Sequence, residues 1–202
     1  DALPICPLAL SVALSLVAPV AMATDATNIN TTQPASFGSV VLTTTDNAID
    51  INNGNTTKIT GVVSEDTANI ALIKQGAGTL SLTADNAYKG GTDLQNGTLS
   101  VEKNASLGSG VLRAADGTTL QTDQNVTLAN NVVIQNSSAD VAKVIVDTKG
   151  NNSTISGVIS DVNTGSGALV KQGDGTLSLT NNNTYKGDTN IEKGTLSIAR
   201  AS

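Results

Sequence analysis

Beyond Thr24 the chain alternates between apolar and polar positions. In Gly-Thr-Leu-Ser-Leu-Thr, starting at Gly78, Leu80 and Leu82 share one parity, and Thr79, Ser81 and Thr83 share the other. Side chains of a strand point alternately to opposite faces, so this segment reads as a strand with an aliphatic side and a polar side. The same pattern runs through VVLTT near Val41, VTLAN near Leu128, VVIQN near Val133, KVIVDT near Ile145 and TISGVIS near Ile155. No stretch after Thr24 carries the period of an amphipathic helix. Segments rich in Gly, Asn and Asp at 52–55, 149–153 and 180–183 separate the strands. They supply corners, because Gly and Asn accept left-handed backbone angles at little cost.

The strands repeat. The stretch from Gly76 to Val101 returns from Gly173 to Ile198 at an offset of 97 residues, with 16 of 26 positions identical. Upstream, Ile59–Ser64 matches Ile155–Ser160, and the run Ala-Leu-Ile-Lys-Gln-Gly ending at Gly76 matches the one ending at Gly173. Inside each copy Gly-Thr-Leu-Ser occurs twice, from Gly78 and Gly97 and then from Gly175 and Gly194, both at a spacing of 19.

A period near 20 residues in a chain of short alternating strands predicts a solenoid in which each coil adds one layer. Leu99 and Val101 would then stack on Leu80 and Leu82 as an aliphatic column, with Thr on the solvated outer face. A β-sandwich is the competing fold, but its wide interior is normally filled with more aromatic residues than Phe37, Tyr88 and Tyr185. The expectation is an all-β parallel β-helix (β-solenoid) over residues 39–202, preceded by a linker at 24–38. At about 4.8 Å per layer it would have roughly eight coils.

The head of the chain differs. Residues 1–23 form an apolar run ending in Ala21-Met22-Ala23, the pattern of a secretory signal peptide cleaved between Ala23 and Thr24. No basic residue precedes the run and the chain opens at Asp1, so the n-region is read as missing. Cleavage would remove Cys6, the single cysteine, and leave an exported chain without disulfides, which points to bacterial export.

Composition narrows the chemistry. There is no His and no Trp, while Thr and Asn number 27 and 21. Without His there is no Ser-His or Cys-His pair and no imidazole metal site. A net charge of −6 argues against nucleic acid, whose recognition rests on clustered Lys and Arg. Neither a cofactor nor a small-molecule substrate is indicated.

Each long repeat also carries an Asn-x-Tyr-x-Gly-x-Thr segment between its two Gly-Thr-Leu strands. In the first copy the motif is carried by Gly78, Thr79, Leu80, Asn86, Tyr88, Gly90, Thr92, Gly97 and Leu99. In the second it is carried by Gly175, Thr176, Leu177, Asn183, Tyr185, Gly187, Thr189, Gly194 and Leu196. This pattern resembles the passenger-associated repeat of bacterial autotransporters, the type V secreted proteins. The resemblance implies a right-handed β-helix exported to the surface of a Gram-negative bacterium, either outer-membrane-attached or secreted. It further implies a C-terminal β-barrel translocator in the full-length protein. A barrel needs aromatic girdles that three aromatic residues do not supply, so the chain is expected to be a passenger fragment. The function implied is that of a non-enzymatic stalk, adhesin or autoaggregation module with host-surface or neighbouring-cell partners, whose repeats aid secretion and folding. The alternative is the non-catalytic part of a secreted β-helical carbohydrate-active enzyme.

The two repeat copies bear on each candidate site. Asp174 in Gly-Asp-Gly-Thr suggests a calcium turn, but Ala77 stands in its place in the first copy. Tyr88 and Tyr185 suit either a stacking platform or, preferably, a ring covering the aliphatic column with its hydroxyl in water. The carboxylates, among them Asp93, Asp188, Asp46, Asp50, Asp147 and Asp161, do not recur as the pair that sugar hydrolysis needs. Lys74 and Lys171, equivalent between copies, read as solubilising charges at strand ends.

Overall fold

The computed structural model describes residues 24–25, 29–43, 48–52, 54–67, 69–136, 141–162 and 165–199. The segment read as a signal peptide, including Ala23 of its cleavage site, lies outside them, as does Asp46. All strand pairs are parallel, and the described residues contain no helix. The chain is a β-solenoid.

Its strands begin with β1 (Thr24–Asp25), β2 (Ile29–Thr31), β3 (Ala35–Phe37), β4 (Val40–Leu42), β5 (Ala48–Ile51) and β6 (Thr56–Ile59). Next come β7 (Val63–Glu65), β8 (Leu72–Gln75), β9 (Thr79–Leu82), β10 (Thr92–Leu94), β11 (Thr98–Val101), β12 (Leu112–Ala115) and β13 (Thr119–Thr122). The series continues with β14 (Thr127–Leu128), β15 (Val132–Gln135), β16 (Val141–Asp147), β17 (Ser153–Ile155) and β18 (Ile159–Asp161). It closes with β19 (Ser166–Gln172), β20 (Thr176–Leu179), β21 (Thr189–Ile191) and β22 (Thr195–Ile198).

The chain visits three faces in turn. The first is a seven-stranded sheet, β2-β5-β8-β10-β12-β15-β18, and the second an eight-stranded sheet, β3-β6-β9-β11-β13-β16-β19-β21. The third holds β1-β4-β7 and, further along, β14-β17-β20-β22. Between these two sheets the third face is crossed by chain without strand pairing. The layers still bond to one another there: Ala87 N–H donates to Val63 O (2.8 Å), Ser109 N–H to Tyr88 O (3.2 Å) and Asn130 Nδ2 to Gly108 O (3.1 Å). Residues 24–38, read from sequence as a linker, instead carry β1, β2 and β3, which pair with β4, β5 and β6. Their alternation is short and polar, so it does not stand out in the sequence. Each strand nonetheless finds its ladder partner one coil later.

Alternation fills the interior. Leu80, Leu99, Leu120 and Val146 lie in register on β9, β11, β13 and β16, all buried. Leu82 and Val101 form the adjoining column with Ile59. On the outer side Thr79, Thr98 and Thr119 stack in register and remain partly exposed. Ser100 faces outward as well but is buried, and its hydroxyl donates to Asp123.

Candidate functional site

The features that recur between copies are the candidates for function, and each takes its position from the coil geometry. Gly97 and Gly194 follow β10 and β21 with φ of +72° and +76°. A Cβ on Gly97 would meet Gly78 O at 2.5 Å, and one on Gly194 would meet Gly173 O at 2.3 Å. Both the left-handed angle and the close approach of the coil below therefore require glycine. Gly90 and Gly187 pack as tightly against Ile70 and Gly167 one coil earlier.

Asn86 and Asn183 join layers. Asn86 Oδ1 accepts Val63 N–H (2.8 Å) while its Nδ2 donates to Ser106 O (2.6 Å), linking the coil before to the coil after. Asn183 Oδ1 accepts Ile159 N–H (2.8 Å) in the same manner. An acid from the preceding coil then anchors the Tyr-Lys-Gly turn: Glu65 Oε2 accepts Lys89 N–H (3.1 Å), and Asp161 Oδ2 accepts Lys186 N–H (2.8 Å). Burial alone would raise the Asp161 carboxyl. The Gly167 and Lys186 N–H groups and the Lys186 ammonium at 3.4 Å together hold it below its ordinary value.

Tyr88 is wholly buried in the aliphatic core, and its hydroxyl meets Thr92 Oγ1 at 2.7 Å. The hydroxyl is thus in the interior, not in water as the sequence suggested, and burial raises the phenol far above its ordinary pKa. Tyr185 repeats the bond with Thr189 (2.6 Å) but is only half-buried. The reading of Lys74 and Lys171 as edge charges is also corrected. Lys74 shares the parity of Leu72 on β8 and lies in register between Ile49 and Leu94, pointing inward and wholly buried. Its ammonium donates to Gln75 O (2.6 Å), Gly76 O (2.6 Å) and Asn96 O (3.1 Å), so three carbonyls solvate it in place of water. Burial pushes it down to about 8, with the Asp50 carboxylate pulling the other way. Lys171 donates to Gln172, Gly173 and Lys193 carbonyls at 2.7, 2.7 and 3.1 Å.

The two copies do not lie on the same faces. β8 and β9 occupy the first and second faces, whereas their counterparts β19 and β20 occupy the second and third. The offset of 97 residues spans four coils and one further face, because coils after β13 lengthen as β14 and β17 add strands to the third face. Equivalent side chains such as Tyr88 and Tyr185 therefore sit on different sides of the solenoid.

Among the remaining candidate acids Asp93, Asp174 and Asp147 are engaged locally, whereas the buried Asp50 Oδ1 has no hydrogen-bond partner. Asp93 pairs with Arg113 (3.4 Å) and Asp174 with Lys193 (2.9 Å). Asp147 Oδ1 accepts Lys149 N–H (2.8 Å). Among the described residues no group of three or more Asp, Glu or Cys could hold a metal ion.

Residues 72–101 and 169–198 match the family model of the passenger-associated-transport-repeat. The chain carries two passenger-associated transport repeats. Each match starts on the strand that bears the buried lysine and ends on the second Gly-Thr-Leu strand, so each matched stretch is one coil plus two strands of the next. The chain is also similar to the adhesin BmaC autotransporter of Brucella suis biovar 1 (strain 1330), at 39% identity over 151 residues. That match covers 73% of this chain and 4% of the relative, so the chain corresponds to a small part of a much longer protein. No solved structure matches the chain. The sequence resemblance to autotransporter passengers thus holds in both repeats and in most of the chain.

Proposed function

We propose that this chain is a segment of an autotransporter passenger, displayed on the surface of a Gram-negative bacterium as a non-enzymatic stalk or adhesin module. The observation that carries the reading is the pair of transport repeats built into one continuous solenoid, within a stretch similar to an adhesin autotransporter. A solenoid gains stability layer by layer, each finished coil offering a strand edge to the next. That suits a passenger that emerges from a translocation pore as a thread. The glycines, Asn86, Tyr88 and Lys74, with their counterparts in the second copy, secure one coil to its neighbours, so the repeats serve folding during export. Residues 1–23 act as the export signal, cleaved after Ala23. A C-terminal β-barrel in the full-length protein is the translocation partner, and host-surface or neighbouring-cell molecules are the binding partners.

The test is surface display. The full reading frame carrying an epitope at the exposed Asp116–Gly117 turn is expressed in a Gram-negative host lacking adhesins. Intact cells should bind the antibody and gain adhesion or autoaggregation. Retention of the epitope inside the cell would refute the reading.

A further inference from the structure

A groove of about 500 Å³ crosses the corner between the second and third faces, lined by Asp85, Glu102, Lys103, Asn104, Gln124 and Asn125. These residues follow β9, β11 and β13, so the groove spans three consecutive layers about 4.8 Å apart. Within it the carboxamides are held in one orientation. Asn104 Oδ1 accepts Thr127 N–H (2.8 Å) and Asn125 Oδ1 accepts Asn152 N–H (2.7 Å), each reaching the next layer. With the oxygen committed, each Nδ2 is left as a solvent-facing donor, and both residues are exposed. Asp85 Oδ1 is committed likewise, to Ala105 N–H (3.2 Å), and Glu102 Oε1 is held by the Lys58 ammonium (3.3 Å). Each of these carboxylates keeps its other oxygen as an acceptor.

The lining decides the ligand class. It contains no apolar or aromatic side chain, so it offers neither an anchor pocket for a peptide nor a stacking surface. Two carboxylates in the groove and a net charge of −6 disfavour a polyanion. What remains is a ligand that accepts and donates hydrogen bonds in turn, at intervals close to the layer spacing. A chain of neutral sugars has that character, since each ring presents hydroxyls that do both and its length is comparable to one layer. The amide donors are already fixed by their bonds to the next coil, so little side-chain entropy is lost on binding. We propose that this groove binds a neutral oligosaccharide lying along the solenoid axis. The Nδ2 groups of Asn104 and Asn125 and the Lys103 ammonium would donate to it, and Asp85 and Glu102 would accept from its hydroxyls. This rests on the adhesin reading and gives it a ligand class.

Substitution by Asp separates binding from folding, because Asn104→Asp and Asn125→Asp keep an oxygen for the backbone N–H and replace the free donor with an anionic acceptor oxygen. The purified chain is applied to an array of neutral and acidic oligosaccharides, and hits are quantified by calorimetry. Neutral glycans should bind, and the double variant should lose at least about tenfold in affinity with its urea midpoint unchanged. Asn131→Asp serves as the control, since Asn131 Oδ1 makes the same kind of bond to Val158 N–H (2.9 Å) but does not line the groove. It should bind as wild type does. Binding of acidic glycans alone, no binding at all, or equal binding by the double variant would each overturn the proposal. The adhesin reading is judged separately: cells displaying the double variant that still adhere would leave it standing while the groove fails.

Discussion

The bond between Tyr88 and Thr92 lends itself to a double-mutant cycle. Tyr88→Phe removes a hydroxyl and leaves the Thr92 hydroxyl, only 1% exposed, without its partner in the core. Thr92→Val does the reverse, stranding the phenol. Leaving a buried polar group unsatisfied costs about 1–3 kcal/mol, whereas replacing both partners by apolar groups of the same shape is close to neutral. Each single substitution should therefore lower stability by about 1–3 kcal/mol. The double variant should lose no more than either single one, which is a coupling of at least about 1 kcal/mol. The same cycle on Tyr185 and Thr189, where both residues are accessible to water, should show a coupling below about 0.5 kcal/mol. Urea unfolding followed by far-UV circular dichroism gives the free energies of the wild type and the six variants. Additive effects at Tyr88 and Thr92, or equal couplings in the two copies, would refute the buried bond and restore a hydroxyl in water.

Three further outcomes follow from the packing. Lys74→Glu would set a carboxylate against three carbonyls and should cost more than about 3 kcal/mol in urea melts, whereas a solubilising edge charge would tolerate the reversal. Leu99→Ala, in the middle of the aliphatic column, should cost about 3–4 kcal/mol, while Thr98→Ala on the outer side should stay within about 0.5 kcal/mol. The Asp161 carboxyl is held below its ordinary value in the folded chain, so its contribution is present above the free carboxylate's pKa and fades as pH falls through the folded one. Asp161→Asn should therefore flatten the acid limb of a stability-versus-pH curve, and an unchanged limb would show that its bonds contribute nothing.

Much of this architecture is legible in the residues. The alternation in Gly-Thr-Leu-Ser-Leu and the spacing of 19 lead directly to Leu99 lying over Leu80. The buried lysines were legible in principle as well: Lys74 stands two residues from Leu72, and that parity places it inside. Its charge points the other way, to the surface, because the backbone carbonyls that solvate the ammonium leave no trace in the sequence. The Tyr88 hydroxyl was misplaced for a related reason, since its partner Thr92 looks like one more outer-face threonine. The layer-joining bonds of Asn104, Asn125 and Asn131 connect residues 23 to 27 positions apart, and only the coil lengths reveal them. Those lengths vary, which is also why the rotation of one repeat relative to the other by a face could not be read from the offset of 97.

Both repeats are layers of one parallel solenoid, and a single distance tests this. Thr79, Thr98, Thr119, Ile145, Val170 and Asn190 stand in one register column on the second face. Thr79 and Asn190 are thus five layers apart, about 24 Å at 4.8 Å per layer. Spin labels on cysteines at these two positions, in a chain carrying Cys6→Ser, can be read by double electron–electron resonance. The solenoid predicts a single narrow distribution centred near that distance. A broad distribution, or a centre below about 15 Å as a sandwich with the repeats packed face to face would give, would contradict it.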